Sequence, residues 1–201
     1  MIGWLYDLLA ERSERGGIEE RRRALVADLE GDVLEIGAGT GRNIPHYRRA
    51  ARVVAVEPDA SMARALARRL PLASVPVEVV AASAEVLPFA RESFDAAVLT
   101  FVLCSVSDPA QALAEVRRVL RPGAPLVLLE HVRGEGRLAC WQDRLTPLHR
   151  RLAGGCHLNR DTRAAVAARG FDVAAVERTR LPASHRLVSP GIQGRAIKTS
   201  S

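Results

Sequence analysis

The stretch VLEIGAGTGRN, Val33 to Asn43, constrains the fold more than any other part of the chain. An apolar run ends in Gly37, Gly39 and Gly41 and then turns polar. Such a run reads as a strand buried on both faces, and glycines at its end permit backbone angles and a closeness to a ligand that side chains forbid. In open α/β sheets the ligand crevice lies outside the carboxyl ends of the strands, and the first strand usually leads there. The turn is therefore read as a ligand cradle, with a ligand-free glycine turn as the plainer alternative.

The chain around it alternates in kind. DVLEIG (32–37), RVVAVEP (52–58), VEVVAA (77–82), FDAAVLTF (94–101) and PLVLLEHV (125–132) are short and apolar at nearly every position, as doubly covered strands are. Helices are predicted over 60–70, capped by Asp59 or Ser61, and over 109–120, where Asp108 caps, Pro109 takes the first turn and RPG stops the helix. This order implies a mostly parallel sheet with helices on both faces. After Arg133 comes a polar, arginine-rich stretch in which Trp141, Leu145, Leu148 and Leu152 are scattered apolar anchors. A helix over 162–169 follows, and then FDVAAVERTRL and GIQGRAIK read as two strands of an antiparallel hairpin joined by PASHRLVSP. With no repeat or linker, 1–201 is read as a single domain.

Composition narrows the partners. A chain of 201 residues that is 48% hydrophobic can bury one core. Its net charge of +6 comes from arginine, Lys198 being the only lysine, and the runs RRRA (21–24) and RRL (68–70) are read as solvated helix faces. Aromatic residues are only 4%, and RNA-binding or zinc-finger patterns are absent, so no nucleic-acid partner is expected. No apolar run reaches the roughly 18 residues that cross a bilayer, and the start lacks a signal-peptide pattern, which makes a cytoplasmic protein the expectation. Cys104, Cys140 and Cys156 fit reduced thiols. Cys156 beside His157, with no second pair, is not zinc spacing, and no metal is expected.

Glu57 stands twenty residues after Gly37, at the end of the second strand, where a carboxylate takes two ribose hydroxyls. The dinucleotide fingerprint GxGxxG needs a third glycine where this chain has Arg42. A ligand with ribose and adenine but no pyrophosphate satisfies both features, and S-adenosylmethionine is such a ligand. An NAD-dependent oxidoreductase and a non-catalytic binder of adenosine ligands are the readings from other classes.

VLEIGAGTG, the acid of VEPD, SAEVLPFARESFDAAV and EVRRVLRPGAPLVLLEH follow one another over 33–132. Together they resemble the class I S-adenosylmethionine-dependent methyltransferases, in the broad group that includes quinone-biosynthesis enzymes. More narrowly, TFVLCSVSDPAQALAEVRRVLRPGAPLVLLEHV and GGCHLNRDT are similar to the membrane-associated thiol methyltransferases of the methyltransferase-like group and their soluble bacterial relatives. The resemblance implies a Rossmann-like fold, a seven-stranded mostly parallel sheet with the last strand, GIQGRAIK, antiparallel. The chain then divides into N-terminal lid helices (1–30), a cofactor-binding core (31–132) and a substrate-side cover with the C-terminal strands (133–201).

The resemblance also implies S-adenosylmethionine as cofactor and a set of roles. Glu35 and the backbone of Gly37, Ala38, Gly39 and Gly41 face its methionine end, with Asn43 nearby and Thr100 along the same side. Glu57 and Pro58 flank the ribose, and Ser83, Ala84 and Glu85 lie along the adenine. Many relatives carry aspartate where Ser83 stands, so the bond to the adenine amine falls to Ser83 or Glu85.

In-line methyl transfer from a sulfonium asks for alignment and exclusion of water more than for a catalytic side chain. A hydroxyl acceptor benefits from a base, whereas a thiol, with a pKa near ~8.5, ionises partly by itself. His131, at the end of the fifth strand, and His157, in a segment expected to cover the pocket, are the candidate bases, each weighed against a structural, hydrogen-bonded histidine. Cys104 is read as a small core residue. The expected substrate is a small molecule, a thiol first, with an amine, hydroxyl, quinone or phospholipid headgroup as rivals. Ile2, Leu5, Leu8 and Leu9, with Trp4 and Tyr6 beside them, predict a helix over the cofactor; Tyr6-Asp7 resembles the lids of relatives, and a membrane surface enters only for a lipid substrate.

Overall fold

The computed structural model describes residues 3–199. Five strands, β1 (Glu30–Ile36), β2 (Arg49–Val56), β3 (Val77–Val80), β4 (Ala96–Thr100) and β5 (Pro125–His131), pair in parallel in the order β3-β2-β1-β4-β5. The order reverses between β1 and β4, and a crevice opens beyond their carboxyl ends. Successive residues of a strand point to opposite faces. Leu34, Ile36 and Leu99 therefore enter the core under α4 (Pro109–Val119), whereas Val33, Val53 and Val98 enter the one under α2 (Glu19–Val26) with Tyr47. Each such buried side chain contributes about 1.5–3 kcal/mol of transfer free energy. β3, at the edge of the described strands, is the exception to the predicted double cover, with Val79 37% exposed.

The C-terminal strands complete the sheet out of sequence order. β8 (Pro190–Lys198) runs antiparallel against β5, from Pro125 opposite Ile197 to His131 opposite Gly191. Its outer edge takes β6 (Phe171–Asp172) and β7 (Val176–Arg180), both antiparallel to it and so parallel to the other strands. The single strand expected over FDVAAVERTRL is thus two. Gly194, at φ +135°, marks the reason: a Cβ there would stand 2.0 Å from the carbonyl oxygen of Ala175, so the backbones crowd at this point.

Helix ends follow the sequence signals. Asp59 accepts from the N–H groups of Ser61 (2.7 Å) and Met62 (3.1 Å) to start α3 (Ala60–Ala67), and Asp108 accepts from Ala110 and Gln111 to start α4. α1 (Gly3–Ser13) and α2 meet at a kink where Gly17 takes φ +121°. Ile2 lies outside the described residues, as do the side chains of Trp4, Leu5, Tyr6 and Leu9. Among the described residues no helix is long and apolar enough to cross a membrane.

Two expectations are corrected. The stretch after Arg133 folds into α5 (Gly136–Leu152), yet Trp141, Leu148 and Leu152 are exposed and Ala139, Gln142 and Thr146 face inward. The inward neighbours of Gln142 are backbone groups, which need hydrogen bonds: it accepts from Gly134 N–H (2.7 Å) and donates to the Leu187 carbonyl (2.8 Å). The second correction is Arg22 of RRRA, which is 4% exposed. It shares a helical face with Ile18 and Val26, four residues to either side and both buried.

Candidate active site

Gly37, Gly39 and Gly41 all take left-handed angles, with φ of +63°, +58° and +81°, but they do different work. A Cβ on Gly37 would come within 2.8 Å of Val102, and one on Gly41 within 2.9 Å of Leu66, so these two let the turn pack on its neighbours. Among the described residues a Cβ on Gly39 would meet nothing nearer than the Gly37 carbonyl oxygen at 3.9 Å, so that side is open to them. The Gly39 N–H donates to Glu57 Oε2 at 2.8 Å, and the Asp59 N–H to Oε1 at 2.9 Å. Glu57 at the tip of β2 is thereby fixed beside the turn. Burial raises its pKa above the usual carboxylate range, against the pull of those two N–H groups.

A cavity of about 460 Å³ lies over this turn, within the size range of small-molecule sites. Of the residues singled out in the sequence, Gly37, Ala38, Gly39, Glu57, Pro58, Ser83, Ala84, Glu85 and Thr100 line it. Glu85 also accepts from the Ser107 N–H at 3.0 Å, which holds the loop before α4 against it. Glu35, Gly41 and Asn43 stand behind the wall. Glu35 is fully buried, accepting from Asn43 Nδ2 (3.0 Å) and the Tyr47 hydroxyl (2.8 Å), and burial pushes its pKa up to about 7. Its effect on the cavity passes through Asn43.

Arg22 joins that network to the cavity wall, which no single stretch of sequence announces. Its guanidinium donates to Thr100 Oγ1 (2.9 Å) and Asn43 Oδ1 (3.1 Å), pairs with Glu14 (3.0 Å), and lies 5.4 Å from the Phe101 ring centre. Buried charge of this kind requires its partner carboxylate, and Glu14 is buried with it. The spacing Ile18–Arg22–Val26 was the signal that could have found it.

The N-terminal helix is bolted to the glycine turn. Asp7 accepts from Thr40 Oγ1 (2.7 Å) and Arg42 Nε (3.0 Å), and pairs with Arg69 (2.9 Å). The residue at the place of the third dinucleotide glycine thus holds α1 over the site.

A second cavity, of about 370 Å³, adjoins the first, and Phe101, Ser105 and Ala153 line both. Phe101 adopts φ +60°, an angle that costs a non-glycine residue about 1–3 kcal/mol, with its N–H held by the Leu129 carbonyl at 2.9 Å. α1 and the turn after it close this cavity with Ala10, Ser13, Glu14 and Ile18. His131, Cys104 and Cys156 also line it. His131 Nε2 is 2.8 Å from Cys156 Sγ. The Cys104 thiol is pulled down by its hydrogen bond with Cys156 and by the His131 charge; burial opposes protonation of His131, and Cys104 outweighs it. His157 lines neither cavity. Its backbone N–H (2.7 Å) and ring Nδ1 (3.2 Å) both face the Cys104 carbonyl, so it clasps the loop that carries Cys104.

Sheet order, glycine cradle and the acid at the neighbouring tip define a methyltransferase domain, and residues 34–128 match the family of that description, Methyltransferase domain. The chain is 33% identical over 208 residues to the thiol S-methyltransferase TMT1B of Homo sapiens, covering 97% of this chain and 85% of the relative. It is 39% identical over 120 residues to the demethylmenaquinone methyltransferase of Renibacterium salmoninarum, covering 57% of this chain and 49% of that one. A solved structure of an S-adenosylmethionine-dependent methyltransferase from Thermotoga maritima, titled a possible histamine N-methyltransferase, superposes with a TM-score of 0.68 at 24% identity, over 98% of this chain and 94% of its own. The chain belongs to the class I S-adenosylmethionine-dependent methyltransferases, and it is a methyl-transferring enzyme.

Proposed function

We propose that this enzyme holds S-adenosylmethionine over the glycine turn and methylates the sulfur of a small, largely apolar thiol seated in the adjoining cavity, in the reducing cytoplasm. The observation that carries the reading is that the two cavities adjoin and share Phe101, Ser105 and Ala153, which sets a cofactor and an acceptor side by side.

The residues present fit the cofactor. The open face of Gly39 is a cradle that any Cβ would fill, and the Glu57 carboxylate beside it suits ribose hydroxyls. Arg22 and Thr100, at the Phe101 end, suit an α-carboxylate and amine, while Pro58, Ser83, Ala84 and Glu85 form the adenine side. When bound, S-adenosylmethionine supplies a methyl group on a sulfonium, whose carbon–sulfur bond breaks with its electron pair retained as the acceptor's lone pair forms the new bond. The chain's part is to align the two ligands and exclude water.

Support for a thiol acceptor is chemical and comparative. Ile18, Phe101, Leu152, Leu181 and Val188 give the second cavity an apolar lining. A thiol needs no strong base, and neither histidine is free as one, since His131 is engaged with Cys156 and His157 with the Cys104 carbonyl. Relatives named thiol S-methyltransferase match 97% and 90% of the chain, whereas a quinone methyltransferase matches 57%, so the former share more of its length.

Label transfer from methyl-labelled S-adenosylmethionine tests this on a panel of small thiols, matched alcohols and amines, and a demethylquinone. Label recovered in thioethers is the expected result; label found only in an amine or a quinone overturns the thiol assignment.

A further inference from the structure

The far wall of the acceptor cavity holds a cluster that alignment alone does not explain. Cys104 comes from the turn after β4, His131 from the last position of β5, and Cys156 from the loop after α5. All three are buried, and their ligating atoms lie within 4.8 Å of one another. Cys104 Sγ has only distant partners besides, the Phe101 carbonyl at 3.5 Å and the Ser105 hydroxyl at 3.3 Å. Next to them His131 Nδ1 and Glu130 Oε2 are buried with no partner among the described residues. Buried polar groups are ordinarily satisfied, so three donors converging on one point from a strand end and two loops call for a common ligand.

We propose that Cys104, His131 and Cys156 are the three protein ligands of a zinc-class thiophilic cation whose fourth position opens into the acceptor cavity. Soft sulfur donors select such ions over magnesium or calcium, and three protein ligands with one open position are the arrangement of catalytic rather than structural zinc. Tetrahedral bonds of about 2.3 Å to sulfur and 2.0 Å to nitrogen set donors roughly 3.5–3.8 Å apart. The 2.8 Å contact between His131 and Cys156 opens on binding by less than about 1 Å, a movement that falls on loop residues at Cys104 and Cys156.

Charge also balances. A dication offsets two thiolates, and the Arg160 guanidinium, which acts electrostatically on Cys156, adds positive charge beside them. The neutral shell accepts one more anion. A thiol entering as fourth ligand forms a sulfur–metal bond as water leaves, and its proton passes to solvent. The methylated sulfur is a neutral, weaker donor, so the product departs and water returns. That the fourth ligand is the acceptor thiol rests on the function proposed above; the metal site itself does not.

The test uses the full chain loaded with zinc or cobalt(II), dialysed, and measured for bound metal and for absorption. We expect one zinc per chain, and for cobalt the thiolate charge-transfer band and strong visible bands of a tetrahedral site. Cys156→Ser and His131→Asn should each lose the metal while S-adenosylhomocysteine still raises Tm, which shows the variants folded. A small thiol should shift the cobalt spectrum. Wild-type protein that retains no metal, or variants that retain it fully, overturn the site. Metal bound without any thiol methylation overturns the acceptor assignment and leaves the site standing.

Discussion

Arg42 Nε lies 3.0 Å from Asp7 Oδ1, and this pair joins the glycine turn to the N-terminal helix. The arginine also reaches Glu11 at 3.4 Å, and only 13% of its side chain is exposed. The position that argues against a dinucleotide is therefore a fastening for the helix that closes the second cavity.

Arg42→Ala should release that helix. A charge-assisted hydrogen bond of this burial is worth about 1.5–3 kcal/mol, so docking weakens roughly ten- to a hundredfold while the core stays intact. Limited proteolysis should cut within the first helix faster, and KM for the acceptor should rise, with little change in Tm. Unchanged cleavage would show that the helix is held elsewhere.

Two neighbouring glycines should respond differently to the same methyl group. Gly39→Ala meets open space, so it costs only the left-handed backbone, about 1–2 kcal/mol, but it fills the cradle and should cut S-adenosylhomocysteine affinity at least tenfold. Gly41→Ala meets Leu66 at 2.9 Å and should cost about 2–4 kcal/mol of stability. Calorimetric titration alongside urea unfolding separates the two effects.

Glu57→Gln keeps the size of the side chain but turns an amide NH₂ toward one of the two N–H groups it now accepts from. S-adenosylhomocysteine should bind about 10–100 times more weakly, from the loss of about 1.5–3 kcal/mol in charged hydrogen bonds. At saturating cofactor kcat should be nearly unchanged, because the carboxylate does not line the second cavity, proposed above to seat the acceptor.

Glu35 carries a pH signature. Its folded pKa of about 7 lies above the 4.5 of an ordinary glutamate carboxyl, so the folded state binds the proton more tightly. The associated stability is fully present below about 4.5 and is lost as pH rises through about 7, a change of about 3 kcal/mol. Unfolding free energies of wild type minus Glu35→Gln, measured from pH 4.5 to 8, should fall by that order; a flat difference would contradict a buried, protonatable carboxyl.

What was legible in the sequence was local. The strands from DVLEIG to PLVLLEHV, the caps Asp59 and Asp108, and the pairing of the glycine turn with Glu57 all rest on spacings of a few residues or one strand–helix–strand unit. What stayed hidden arises by convergence. Arg22 is one charge among three until helical phase shows that its neighbours at four residues are buried. Cys104, His131 and Cys156 are about 25 residues apart and meet only because β4, β5 and α5 end at the same edge of the sheet. The division of the sixth strand depends on how closely Gly194 lets Ala175 approach, a contact between distant segments.

The place of β8 between β5 and the pair β6 and β7 sets a timetable for folding. Among the described strands the one that bridges these edges comes after all the others in sequence, so until it docks β5 presents an unpaired edge and β6 and β7 lack their partner. Closure of the sheet waits for β8, and a chain in which β8 has not yet docked carries an exposed strand edge that invites aggregation.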